Sequence, residues 1–202
     1  MTRSGSISNR LRDLIRDAET DRISVQWLLA ALQARAFGFL LLFLALPNVI
    51  PMPPGLSAVF GLLLLYPSFQ LMLGAEKPWF PKAIAERELP VQALRAVAEK
   101  AGPWLDRLEA LARPRLEPLT DRPLVQLSGL ICLILAVILI LPVFGGNLLP
   151  GVAIMFISIG LIQRDGLFVL LSLPFVAASV FVVYLNLAVI QAAIEGLLRL
   201  AI

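Results

Sequence analysis

Apolar residues along this chain gather in long unbroken runs, divided by prolines, glycines and short polar clusters. Leu56 to Leu73, Leu124 to Leu141 and Leu167 to Leu187 have the length of a membrane-spanning helix, since about 17 to 25 residues rising ~1.5 Å each cross a hydrocarbon layer about 30 Å thick. Two further runs are shorter. Ala36 to Leu46 stops at Pro47, and Leu148 to Ile162 carries Pro150 and Gly151 near its start. Each predicts either a tilted span or one half of a re-entrant hairpin. Backbone groups released at the breaks find no partner in lipid, so the Pro-rich breaks are expected inside protein, at the interface or along a wet cavity.

The remaining segments are amphipathic. Ile7, Leu11, Leu14 and Ile15 recur at helical spacing among Arg10, Arg12, Asp13, Arg16 and Asp17, which predicts a helix on the membrane surface or packed over the bundle. From Ala75 to Arg122 the chain holds nine Lys/Arg and eight Asp/Glu. Within that stretch Leu94, Val97, Ala101, Leu105 and Leu108 predict two amphipathic helices broken at Gly102-Pro103, with Pro103 in the first turn of the second. Trp79, Phe80 and Trp104 suit the membrane–water boundary. The chain thus divides into an amphipathic segment at 1–22, a membrane segment at 23–74, a charged insertion at 75–122 and a second membrane segment with a short tail at 123–202.

With 202 residues, 59% hydrophobic and 15% charged, and a mean hydropathy of +0.87, the chain is too apolar for one soluble core. It reads as an all-α multi-pass membrane protein. Lys/Arg counts set its orientation: six through Arg35 and nine in the central insertion place both regions in the cytoplasm. The apolar material between them therefore goes in and returns, as two spans or as a re-entrant hairpin. Charges fill the first 22 positions before any long apolar run, so no secretory leader is visible. The nearly balanced central charge is that of a solvated face and gives no reason to expect nucleic acid. Histidine is absent and Cys132 is the only cysteine, which excludes a His-based triad, a His-ligated metal and an internal disulfide. No cofactor is implied, and Cys132, inside an apolar run, is expected to be inert.

The two membrane segments share a pattern. Thr20-Asp21-Arg22-Ile23-Ser24-Val25-Gln26 is matched by Thr120-Asp121-Arg122-Pro123-Leu124-Val125-Gln126. Each copy leads to Leu-Pro, at Leu46-Pro47 and Leu141-Pro142, and then to Asn-x-x-Pro, at Asn48 to Pro51 and Asn147 to Pro150; Gly61 and Gly160 keep the same register. This order predicts an internal repeat, with parallel copies on the distribution of charge. Membrane proteins built from repeats place sites where two broken segments meet.

Asn48, Pro51, Pro54 and Gly55 from the first break, with Asn147, Pro150 and Gly151 from the second, are accordingly the first candidate binding residues. Four prolines between positions 47 and 54 remove amide donors, and the carbonyls they release need water, an ion or side-chain partners. The alternative is a pair of tight turns between antiparallel helices, with each Asn serving as a cap. Gln163, Arg164 and Asp165 form the second candidate, because Arg164 and Asp165 are the only charges between Arg122 and Glu195. An interfacial Arg-Asp pair suits a phosphate or a coupling proton; the alternative is a cytoplasmic turn anchored by Arg. Tyr66 and Gln70, beside Pro67, are expected to face the bundle interior. No nucleotide loop or paired acids of glycosidase type are present, so no catalytic residue is assigned and a non-enzymatic role is expected.

The ordered elements Leu46 to Ser57, Lys77-Pro78-Trp79-Phe80-Pro81, Pro114-Arg115-Leu116, Gly146 to Pro150 and Arg164-Asp165-Gly166 resemble the ExoD family of bacterial exopolysaccharide-synthesis membrane proteins over nearly the whole chain. The resemblance implies a multi-pass protein of the bacterial inner membrane connected with exopolysaccharide production, without an assigned reaction. The leading expectation is synthesis or export of exopolysaccharide, with a lipid-linked saccharide or an ion handled at the paired Asn-x-x-Pro breaks. A scaffold for polysaccharide enzymes and an enzyme acting on lipid-linked sugar are the alternatives. Membrane lipids are expected partners. Short spans with Gly-containing faces predict a homodimer.

Overall fold

The computed structural model describes residues 22–24, 27, 32, 35–49, 55–92, 116, 120–141 and 147–201. Five helices dominate them: α1 (Ala36–Ala45), α2 (Leu56–Met72), α3 (Arg122–Ile140), α4 (Leu148–Gln163) and α5 (Gly166–Ala201). The amphipathic helices predicted at 7–19 and 94–108, like Pro51 and Pro54, lie outside the described residues.

Local sequence sets where these helices begin and end. Asp121 is extended before α3 and Pro123 falls in its first turn, where a missing N–H has no helical partner to lose. Pro150 occupies the first turn of α4 for the same reason. α2 closes in a Schellman turn. Gly74 takes φ 79°, its N–H donates to Leu71 O at 3.0 Å, and the Ala75 N–H donates to Gln70 O at 3.0 Å. At the end of α1 the chain tightens through Pro47 into a 3-10 turn, Leu46–Val49. Asn48 Nδ2 donates to Leu44 O at 3.1 Å there, so a side chain supplies a donor where regular helix has ended.

Pro67 does not break α2; it is buried within a continuous helix. Its neighbours correct the expectation made for them. Tyr66 is 37% exposed and its ring lies 5.6 Å from that of Phe80. Gln70 exchanges two hydrogen bonds with the Trp79 backbone, donating to Trp79 O at 2.8 Å and accepting from Trp79 N at 2.7 Å. Both side chains serve the loop after α2, which folds back onto the helix end, and not the bundle interior.

Residues of α1, α2, α3 and α4, among them Leu41, Leu64, Leu135 and Ile154, form one buried core. The helices pair across it in a crossed manner. A Cβ on Gly38 of α1 would lie 3.0 Å from Ser158 O of α4, while a Cβ on Gly151, at the other end of α4, would lie 3.0 Å from Asn48 Cβ; α1 and α4 are therefore antiparallel. Gly61 of α2 faces Ala136 O at 2.9 Å and Gly129 of α3 faces Leu71 C at 2.8 Å, which makes α2 and α3 antiparallel too. Small residues at these crossings let backbones approach, as membrane helix contacts require. α5 packs mainly on α4, where Phe156 stacks on Phe168 and Phe175 at 6.1 and 5.4 Å.

Among the described residues two helices are long and apolar enough to cross a membrane: α3, with 19 residues, and the first 24 residues of α5, Gly166–Val189. α1, α2 and α4 are shorter apolar helices. Phe43, Leu62, Phe181 and Leu187 are all more than half exposed on outward faces. In water such surface is unfavourable by about 25 cal/mol per Å², whereas hydrocarbon removes the penalty.

The fold departs from pure helix at one place among the described residues. Arg22–Ser24 pairs antiparallel with Glu88–Pro90, opposing Arg22 to Pro90 and Ser24 to Glu88, and Arg22 Nη1 lies 3.5 Å from Glu88 Oε2. The chain before α1 thus lies beside the chain after α2, so both must occupy one side of any membrane. In a Cys132→Ala background, Arg22→Cys and Arg87→Cys are expected to react with an impermeant maleimide from the same side. Labelling from opposite sides would rule out the strand pairing.

Candidate functional site at the helix breaks

The break after α1 and the break before α4 come together. Asn48, 2% exposed, presses its Cβ against Gly151, whose lack of a side chain leaves the room; a Cβ there would also lie 3.2 Å from Asn48 C and 3.3 Å from Asn48 O. Asn147 stands one turn before Gly151, and Gly151 N–H donates to Asn147 O at 3.2 Å. The Asn147 side chain does not cap its own helix. Its Nδ2 instead donates at 2.8 Å to Ser57 Oγ in the first turn of α2. Each break therefore meets the other through an asparagine.

Two acceptors remain. Asn48 Oδ1 and Asn147 Oδ1 are buried with no hydrogen-bond partner. A buried amide oxygen left unpaired costs about 1–3 kcal/mol, so each is a point that a donor would stabilise, and both belong to the residues through which the breaks meet. Pro150 is buried beside them, whereas Gly55 is exposed, with φ 95° and open space where its Cβ would be.

The second candidate lies at the far end of α4, about 24 Å from Asn147 at 1.5 Å per residue. Arg164 is exposed and holds the left-handed conformation that ends α4, with φ 53°. Asp165 is 1% exposed; its N–H donates to Gly160 O at 3.0 Å and its Oδ1 accepts the Leu167 N–H at 3.0 Å. Asp165 is thus the cap that starts α5 one residue after α4 has ended. Asp165→Ala is expected to lower stability by about 1 kcal/mol. Asp165→Asn, which still accepts from Leu167, is expected to lose less, measured by thermal unfolding in detergent. Equal losses would assign the carboxylate's weight to its charge.

Sequence reading did not single out Ser57. It also passed over a polar stripe on α5: Asp165, Ser172, Ser179 and Asn186, legible as a spacing of seven. Ser172 and Ser179 are fully buried. These side chains bond within their own helix, Ser172 to Val169 O at 2.6 Å, Ser179 to Phe175 O at 2.7 Å and Asn186 to Val182 O at 2.8 Å.

The family model described as "Exopolysaccharide synthesis, ExoD" matches residues 7–185. The chain belongs to the ExoD family. Protein ExoD of Rhizobium meliloti (strain 1021) is 34% identical over 169 residues, covering 81% of this chain and 70% of that protein. The uncharacterized protein slr1875 of Synechocystis sp. is 30% identical over 164 residues, covering 80% and 77%. No solved structure matches. ExoD membership connects the chain with exopolysaccharide synthesis.

Proposed function

We propose that this ExoD-family chain is a multi-pass protein of the bacterial inner membrane that serves exopolysaccharide synthesis or export by handling a polar species where its two broken helices meet. The observation that carries the reading is the pair of unpartnered amide oxygens, Asn48 Oδ1 and Asn147 Oδ1, buried at a contact between the two breaks. The crossed pairing of α1 with α4 and α2 with α3 supports an origin by duplication, in which the first helix of each copy packs on the second helix of the other. On this reading the short helices α1, α2 and α4 need not each cross the full bilayer.

The experiment is complementation. A strain lacking the gene is expected to lose secreted polysaccharide and to regain it with the wild-type chain, which should fractionate with the inner membrane. Normal secretion in the deletion strain would remove the pathway assignment. Restoration by variants whose breaks carry no amide would remove the polar site.

A further inference from the structure

Every side chain that can hydrogen-bond in the two breaks is uncharged. From Leu46 to Ser57 and from Leu141 to Gly151 the sequence contains no Asp, Glu, Lys or Arg, and its hydrogen-bonding side chains are Asn48, Ser57 and Asn147. Their orientations are partly fixed. Asn48 Nδ2 donates to Leu44 O at 3.1 Å; turning the amide over would set two carbonyl oxygens against each other, so Oδ1 stays an acceptor. Ser57 accepts from Asn147 through Oγ and keeps a hydroxyl hydrogen to give. The three side chains therefore offer an acceptor on each asparagine, Asn48 Oδ1 and Asn147 Oδ1, and a hydroxyl donor on Ser57, which is bonded to Asn147.

Charge decides what fits. A phosphate would meet the N-terminal ends of α2 and α4 there, but it would set its charge against the negative ends of two amide dipoles with no Lys or Arg in either break. A hard cation takes about six or more oxygens, and the side chains of the two breaks offer three. A neutral hydroxyl gives its hydrogen to an Asn oxygen and accepts one from Ser57, with no charge to desolvate. Resting on the reading of the breaks as the polar site, we infer that Asn48, Asn147 and Ser57 bind the neutral hydroxyls of a sugar and not the phosphate of a lipid carrier.

A glycolipid in the bilayer and a free saccharide both carry this chemistry. The test uses the full chain in phosphatidylcholine nanodiscs, with glucosyl diacylglycerol as the lipid probe, cellobiose as the soluble probe and phosphatidylglycerol as the anionic control, read by native mass spectrometry. Wild type is expected to retain at least one sugar probe. Asn48→Leu and Asn147→Leu should each bind it about tenfold more weakly, the loss that follows from removing one or two hydrogen bonds, with phosphatidylglycerol binding unchanged. Retention of the glycolipid assigns a membrane source, and retention of cellobiose a soluble one. Where a leucine variant does not fold, Ser57→Ala, which removes only a hydroxyl, takes its place. Sugar binding that the variants leave intact, selective loss of phosphatidylglycerol, or no sugar retained by wild type would each overturn the inference, the last being the behaviour of a site filled by a trapped water. The same variants separate this failure from that of the underlying reading. Lost secretion with unchanged sugar binding removes the sugar alone, whereas normal secretion removes the polar site with it.

Discussion

Gly129→Ala is expected to lower the protein's membrane abundance several-fold. The new Cβ would meet the backbone nitrogen of Met72 and lie 2.8 Å from Leu71 C and 2.9 Å from Met72 Cα, well inside an ordinary carbon–carbon contact of about 3.5 Å. Because all three atoms belong to the backbone of the facing segment, no rotamer change relieves the clash, and α3 must move away from the end of α2. Overpacking of this kind costs about 3 kcal/mol at its upper range, and the better helix propensity of alanine returns about 1 kcal/mol. A net loss of about 2 kcal/mol shifts the folded-to-unfolded ratio about 30-fold. Membrane abundance and thermal unfolding in detergent measure it. Gly38→Ala meets the flexible Ile162 Cγ1 at 2.6 Å before the Ser158 carbonyl at 3.0 Å, and should lose less. Gly55→Ala has open space and only its φ of 95° to strain it, about 1–2 kcal/mol. An order in which Gly129 is the mildest of the three would contradict the close approach of α2 and α3.

The helices themselves were legible in the chain. The runs 56–73, 124–141 and 148–162 became Leu56–Met72, Arg122–Ile140 and Leu148–Gln163, because apolar length and the Pro and Gly boundaries act locally. The run ending at Pro47 contained α1, but the 3-10 turn that follows was not anticipated, since it depends on Asn48 reaching back to Leu44. Which helix packs on which was not legible. That choice is made by Gly38, Gly61, Gly129 and Gly151, whose empty Cβ positions have meaning only once a partner backbone stands opposite. The matched Asn-x-x-Pro units pointed to the breaks. The bond from Asn147 to Ser57 spans 90 positions and has no signal in local spacing. Asp165 showed the converse: its isolation between apolar runs suggested chemistry, whereas its hydrogen bonds with Gly160 and Leu167 are those of a helix junction. The Arg22–Ser24 pairing with Glu88–Pro90 likewise joins residues with no shared local pattern.

Asn48→Ala and Asn147→Ala are each expected to abolish complementation of a polysaccharide defect while leaving membrane abundance nearly unchanged. The stability side of this expectation follows from what each side chain does in the fold. Asn48 loses one bond to Leu44 O, and Asn147 loses one to Ser57 Oγ, about 1 kcal/mol apiece. Each substitution also removes a buried oxygen that has no partner, which offsets a loss of that size because an unpaired acceptor itself costs about 1–3 kcal/mol. Capping alone predicts a different outcome: a loss of about 1 kcal/mol in each variant, with secretion following the amount of surviving protein. Secretion and thermal unfolding measured on the same cells and membranes separate the two. Ser57→Ala sharpens the comparison, because it leaves both amides in place and removes the partner of one. If Asn147 acts through its contact with Ser57, Ser57→Ala alone should lose secretion as Asn147→Ala does. If secretion instead tracks abundance in all the single variants, the meeting of the two breaks is a turn contact and the polar site is not there.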